Sequence, residues 1–138
     1  CWSIYMILIT GGKYQGKEEF ALRLGGYSKS DVLDLSDFDF LSINELSDKY
    51  KIIRNLEEYV RYLSKDNEDI SLIEDLVKKL IERIEPEIII ISEVGAGVVP
   101  LKESDNRFRE AVGLISKYYA NIAKEVYRLI CFVAVKLK

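Results

Sequence analysis

The sequence predicts an α/β domain built on a mainly parallel sheet. Short, near-continuous apolar runs alternate along the chain with segments of helical period, and two glycine-rich segments each follow directly on such a run. Unbroken apolar runs are what strands buried on both faces require. Strand and helix in alternation give parallel strands joined by crossover helices. The 138 residues, 49% of them hydrophobic, suit one domain with a sizeable core, and no linker, repeat or low-complexity segment interrupts residues 1–138.

Tyr5 to Thr10 reads as a first buried strand. Gly16 to Leu24 is the first helix, with Phe20, Ala21 and Leu24 on one face and Gly25-Gly26 ending it. Val32 to Leu35 is a short second strand. The acidic-aromatic stretch Ser36-Asp37-Phe38-Asp39-Phe40 then reads as a loop, with a brief helical turn around Asn44 to Leu46. Lys51-Ile52-Ile53 is a third strand, and Leu56 to Leu63 a helix that turns Tyr59, Val60 and Leu63 inward. Ile70 to Ile84 has the clearest helical period, since Leu72, Ile73, Leu76, Val77, Leu80, Ile81 and Ile84 recur at three- and four-residue spacing. Packing of that stripe on the sheet is favoured over docking of a partner. Pro86 stops the helix, and Ile88 to Ile91 is a buried strand. The second glycine loop, Ser92 to Pro100, follows it. Asp105 to Lys124 is a long helix with Phe108, Val112, Ile115, Tyr119 and Ile122 inward, and Val126–Ile130 and Phe132–Leu137 supply one or two final strands. Ligands of open parallel sheets bind beyond the carboxyl ends of the strands, so both glycine loops fall on one edge.

Composition narrows the chemistry. The formal net charge is −3 with the signs interspersed, so neither nucleic acid nor a membrane surface is an expected partner. The two cysteines, Cys1 and Cys131, are too far apart for a metal knuckle, which points to a reduced, cytoplasmic setting. No metal-ligating residue set is expected. The chain has no histidine, so histidine acid–base work, histidine metal ligation and a phospho- or nucleotidyl-histidine are all excluded. The opening apolar run is too short to span a membrane and lacks the flanks of a signal peptide. Met6 reads as a natural start, with residues 1–5 an upstream extension or a misassigned start.

The first glycine loop carries the clearest chemistry. Gly11-Gly12-Lys13-Tyr14-Gln15-Gly16-Lys17 satisfies the phosphate-binding pattern G-x-x-x-x-G-K-[ST] at every fixed position but the last, where Glu18 stands. Glycines let backbone N–H groups point inward, and the following helix N-terminus adds partial positive charge. Lys17 is placed to reach the outer phosphates, while the hydroxyl that ordinarily holds Mg²⁺ is replaced by the Glu18 carboxylate. The competing reading is a tight strand-to-helix turn with a basic residue in the first helical turn.

The second loop, Glu93-Val94-Gly95-Ala96-Gly97-Val98-Val99-Pro100, with Arg107-Phe108-Arg109-Glu110 and Gly113, resembles the EVGxGxVP…RxFR(D/E)xxG signature of the bifunctional adenosylcobinamide kinase/adenosylcobinamide-phosphate guanylyltransferases of cobalamin biosynthesis. Met6 to Gly12 running into Gly16-Lys17, and the ending Val135-Lys136-Leu137-Lys138, are similar to that family's first and last strands. The likeness spans nearly the whole chain, with a shortened middle. It implies a P-loop NTPase fold of the RecA-like kind, a three-layer α/β/α domain binding ATP or GTP with Mg²⁺ as companion ion. The family phosphorylates a corrinoid alcohol, adenosylcobinamide, and then transfers GMP onto that phosphate; members resembling this chain are trimers. Carried over by position, the phosphate cradle is Gly11, Gly12, Lys13, Tyr14, Gln15, Gly16 and Lys17, with the Glu93–Pro100 loop beside the nucleotide. Glu18, at the hydroxyl position, is counted with the nucleotide-binding residues, and Lys17 and Glu93 are the candidate catalytic residues.

This chain departs from the family at chemical positions. The guanylylated histidine belongs between the second and third strands, an interval that here is about Ser36 to Tyr50 and has none. Arg54-Asn55 stand where an acidic residue is usual, Ser116-Lys117 replace Asn-Gln, Lys124 replaces a common Asp, and Phe132-Val133-Ala134 replace a late glycine turn. Two functions follow as expectations. One is a kinase of the cobinamide type without the guanylyltransferase step, with Glu93, Asp34 or Asp37 as acidic metal partner. The other is a catalytically degenerate nucleotide-binding or assembly module, favoured by Glu18, whose charge repels a triphosphate unless a cation intervenes. Arg54 offsets that charge if the fold brings it to Glu18.

Overall fold

The computed structural model describes residues 5–12, 16–36, 50–93 and 103–138. Its centre is one six-stranded sheet in the order β2-β3-β4-β1-β5-β6. The strands are β1 Ile7–Gly11, β2 Val32–Asp34, β3 Ile52–Arg54, β4 Ile88–Ile90, β5 Glu125–Ile130 and β6 Val133–Lys136. All pairings are parallel except β5 with β6, which form an antiparallel hairpin. β1 therefore runs between β4 and β5, and Ile7 stands in register with both Ile88 and Glu125.

Alternation along each strand sorts the core into two layers. Leu8, Leu33, Ile53 and Ile89 point to the face covered by helices α2 (Leu56–Asp66), α3 (Ile70–Ile84) and α4 (Glu103–Ile122). Ile9, Ile52, Ile88, Ile90 and Leu129 point to the other face, where helix α1 (Lys17–Gly25) lays Ala21, Phe20 and Leu22 against them. Phe20 meets Tyr127 edge to face at 5.0 Å. Helices on both faces of a mostly parallel sheet make the three-layer α/β/α architecture.

Local chemistry sets the helix ends. α1 stops at Gly26, whose φ of 66° is left-handed and lets Tyr27 N–H close back on the Leu22 carbonyl at 3.1 Å. The Asp69 side chain accepts the Ser71 N–H at 2.9 Å to open α3, and left-handed Glu85 closes α3 just before Pro86. A 3-10 turn over Lys29–Asp31, absent from the sequence reading, leads into β2 and is held by a reciprocal Ser28–Asp31 capping box.

Some inward assignments need correction. Leu72 is 44% exposed and Leu76 only half-buried, so the core stripe of α3 is Ile73, Val77, Leu80, Ile81 and Ile84. Leu72 sits about 100° round the helix from Ile73, enough to carry it off the sheet. Leu24, at the exposed end of α1, is likewise outside the core. The final strands are two, separated by Cys131 and Phe132. The loop over residues 37–40, the turn at Asn44 to Leu46 and the second glycine loop beyond Glu93 lie outside the described residues.

Candidate functional site

β1 delivers its carboxyl end between those of β4 and β5, and this fixes where the first glycine loop begins. Gly11 is the last residue of β1, in register with Leu129. Its φ is 141°, and a Cβ there would stand 2.6 Å from the Leu129 carbonyl oxygen. Only glycine lets the two backbones come this close. The carbonyl of Gly11 also accepts the Glu93 N–H at 2.9 Å, so the roots of both glycine loops lie side by side on one sheet edge.

Gly16 ends the first loop and caps α1 with a left-handed φ of 81°, and its carbonyl accepts the Phe20 N–H at 3.0 Å to close the first turn. Lys17 follows, only 8% exposed, and its Nζ donates to the Gly12 carbonyl at 2.6 Å. An ammonium is rarely this buried unless it is paired. The lysine reaches back to Gly12 from the N-terminal end of α1, where the helix dipole is positive. Lys13, Tyr14 and Gln15, the other candidate cradle residues, lie outside the described residues.

A cleft of about 630 Å³ opens at this point, within the range of small-molecule sites. Gly16, Lys17, Glu18 and Glu19 line it from α1, Ser36, Arg54, Asn55 and Glu58 from the β2–β3 side, and Ile90 and Ser92 from β4. Phe132 borders it on the β5–β6 side.

The fold does bring Arg54 to Glu18. Arg54 Nη1 donates to Glu18 Oε2 at 2.6 Å, with the side chains 36% and 26% exposed. The carboxylate at the metal-hook position is thus engaged by a guanidinium. Beside it, Asn55 takes a left-handed φ of 59°, tolerable for asparagine, and caps α2. Its amide donates to Asp34 Oδ1 at 2.7 Å, which also accepts the Ser36 N–H at 2.9 Å and the Ser36 hydroxyl at 2.6 Å. Burial pushes the Asp34 carboxyl up, but the bonds from Ser36 and Asn55, with Arg54 nearby, hold it below the ordinary value. Asp34 thereby serves as a turn-forming acceptor that joins the ends of β2 and β3. Asp37 lies outside the described residues.

Glu93 ends the β4 segment, and both its oxygens are taken by Arg128 of β5, at 2.7 and 3.0 Å. The wall that β4 presents to the cleft is instead Ile90 and Ser92. Behind Ser92 lies Glu57 of α2, 1% exposed, which accepts the Ser92 N–H at 2.7 Å. Burial raises its pKa against the pull of that bond, and its second oxygen has no hydrogen-bond partner among the described residues. Glu57 therefore pins the start of the second loop from beneath.

Ser36 and Glu58, ordinary polar residues at a strand end and on a helix, were not legible as site residues. Asn55 and Phe132 did carry a signal, as residues standing where an acidic residue and a glycine turn are expected. The turn is observed between Ile130 and Val133, with φ of 49° at Cys131 and 65° at Phe132. Such turns ordinarily take Asn-Gly, and a left-handed conformation costs a bulky residue about 1–2 kcal/mol.

A mostly parallel sheet whose central strand leads through a glycine-rich segment to a helix, with a buried lysine at the helix start donating back to Gly12, describes a P-loop NTPase-like α/β domain. A family model described as cobinamide kinase / cobinamide phosphate guanyltransferase matches residues 44–137. The chain belongs to that family. The matched range begins beyond the first glycine loop, so loop geometry and family match are separate observations. No curated protein matches the chain.

Proposed function

We propose that this chain binds a nucleoside triphosphate, ATP or GTP, on the 11–17 loop and transfers its terminal phosphoryl group to the alcohol of a corrinoid of the adenosylcobinamide type. The observation that carries this reading is Lys17, a buried ammonium held at the Gly12 carbonyl beside the start of α1. Phosphoryl transfer asks little covalent chemistry of the protein, since catalysis rests on positioning and on fixed positive charge. In this reading Lys17 leaves the Gly12 carbonyl for phosphate oxygens. The loop N–H groups neutralise the charge that spreads over the transferring group, and the acceptor enters from the Arg54–Asn55 side. Glu93 acts only if its pair with Arg128 opens.

Among the described residues, no group of three or more acidic, cysteine or histidine side chains could hold a metal ion. Mg²⁺ ordinarily needs only one or two protein ligands besides the phosphates. Glu18 becomes such a ligand only when released from Arg54. The guanylyl step is left out of the proposal because the chain has no histidine to carry GMP. Homo-oligomeric assembly, as a trimer, and a cytoplasmic setting belong to the same proposal. No helix among the described residues is long and apolar enough to cross a membrane.

One observation favours a second reading, a nucleotide-binding or assembly module without turnover. The Glu18–Arg54 pair closes the metal-hook position with a salt bridge. Isothermal titration with ATP and GTP, with and without Mg²⁺, tests the cradle, and a coupled assay for nucleoside diphosphate with cobinamide tests transfer. Binding with turnover supports the kinase, and binding alone supports the module. Absence of binding overturns both nucleotide readings.

A further inference from the structure

Phe132 is the large apolar side chain most exposed among the described residues, at 71%. It is also one of two residues that hold the β5–β6 turn with positive φ and no glycine. Its place is not incidental, because the ring lies over Gly16 at the helix end of the phosphate-type loop. A Cβ on Gly16 would come within 2.9 Å of the Phe132 Cδ1. The ring and Gly16 are thus close neighbours, and the left-handed φ of 81° is what favours glycine at that position.

The cleft has two chemically different ends. The sheet order puts β3 on one side of β1 and the β5–β6 hairpin on the other. Arg54, Asn55 and Ser36 make the β3 end charged and polar, whereas Phe132 makes the hairpin end aromatic. A nucleotide with its phosphates in the middle, at Gly16 and Lys17, must extend its base toward one of them. Every nucleobase has a π face that stacks on an aromatic ring, and the Phe132 ring is 71% exposed, whereas the Arg54 side chain is 36% exposed and held by Glu18. The hairpin is also held in place. Gly11 lies against Leu129, and Arg128 grips Glu93 through two bonds, so β5, which carries the hairpin, is fixed beside β1 and β4.

We infer that Phe132 is the stacking platform for the base of the bound nucleotide. This rests on the reading of the 11–17 loop as a phosphate cradle. Stacking is tolerant of base identity, so Phe132 supports ATP and GTP alike.

The test compares ATP, GTP and inorganic tripolyphosphate by isothermal titration on the full chain and on Phe132→Ala, Phe132→Gly and Phe132→Tyr. Loss of the ring should weaken ATP and GTP about 5- to 100-fold while leaving tripolyphosphate unchanged. Phe132→Tyr should keep nucleotide affinity within about 2-fold, since the π face persists. Phe132→Gly removes the ring and eases the left-handed turn, so a loss in that variant is not a loss of folding. Unchanged nucleotide affinity in Phe132→Ala and Phe132→Gly overturns the inference. Tighter binding of all three ligands also overturns it, by showing that the ring blocks the cradle. If tripolyphosphate fails to bind the unaltered chain, the cradle reading falls and the stacking inference falls with it; unchanged nucleotide affinity in the ring variants overturns the stacking inference alone.

Discussion

Glu18→Thr restores the hydroxyl of the phosphate-loop pattern and removes the Arg54 ion pair, so its two consequences have opposite sign. The pair spans 2.6 Å but is only partly buried, with side-chain exposures of 36% and 26%. Solvent screening reduces such a bridge to about 1 kcal/mol. Loss of a negative residue from the first turn of α1 removes a further 0.3–1 kcal/mol or so of dipole stabilisation. Together these lower Tm by roughly 3–8 °C for a domain of this size. Binding moves the other way. The cleft is lined by two cations, Lys17 and Arg54, against three carboxylates, Glu18, Glu19 and Glu58. The substitution removes one carboxylate and releases Arg54. One unit of charge a few ångströms from a triphosphate is worth about 1 kcal/mol or more, so Mg²⁺-nucleotide should bind at least about 5-fold tighter. Glu18→Gln separates the terms, because it removes the charge without supplying a hydroxyl. Titration calorimetry and thermal melts on both variants and on Arg54→Met give the full set of differences. A fall in affinity for Glu18→Thr would refute this reasoning, and would make Glu18 itself a working ligand for the metal or the substrate.

Three further outcomes are expected. Lys17→Ala should weaken ATP or GTP binding by about 1–3 kcal/mol, the loss of a charge-assisted bond, and shift stability by no more than about 1 kcal/mol. Equal affinity in the variant would reduce the loop to a structural turn. Incubation with radiolabelled GTP should leave the denatured chain unlabelled, because no histidine is present; a stoichiometric, acid-labile label would show another residue carrying GMP. Glu57→Gln should gain stability relative to the unaltered chain as pH rises. Burial holds the folded pKa of Glu57 above its ordinary 4.5, so its contribution is fully present below that value and is lost as pH rises through the raised one. Urea melts at intervals from pH 4.5 to 7.5 read the difference, and one that does not vary with pH sinks the assignment.

β1 and β4 were the most legible strands, because Ile7-Leu8-Ile9 and Ile88-Ile89-Ile90 are unbroken apolar runs of the kind a strand buried on both faces requires. Helical period located α2, α3 and α4 but not the edges of their buried stripes. Leu72 is as apolar as its neighbour Ile73, and only the packing direction of α3 separates them. The first glycine loop was readable as a motif, since its chemistry lies in consecutive residues. The rest of the cleft was not. Asn55 meets Asp34 across two strands, and Glu57 reaches Ser92 from a helix beneath the sheet. Such contacts are products of register and crossover, which a linear pattern does not encode. The Cys131-Phe132 turn was hidden for a different reason, because neither residue is of a type that favours a left-handed backbone.

The place of β1 in the sheet has a bearing on synthesis. Ile7 pairs with Ile88 on one side and with Glu125 on the other, so β1 is made well before either of its neighbours. At ribosomal rates of about 5–20 residues per second, the wait for β5 is on the order of ten seconds. During that time the run Ile7-Leu8-Ile9 offers both edges to any other extended chain. The strand that starts the glycine loop therefore carries an aggregation risk during synthesis, and the native sheet closes over its second edge only when β5 arrives.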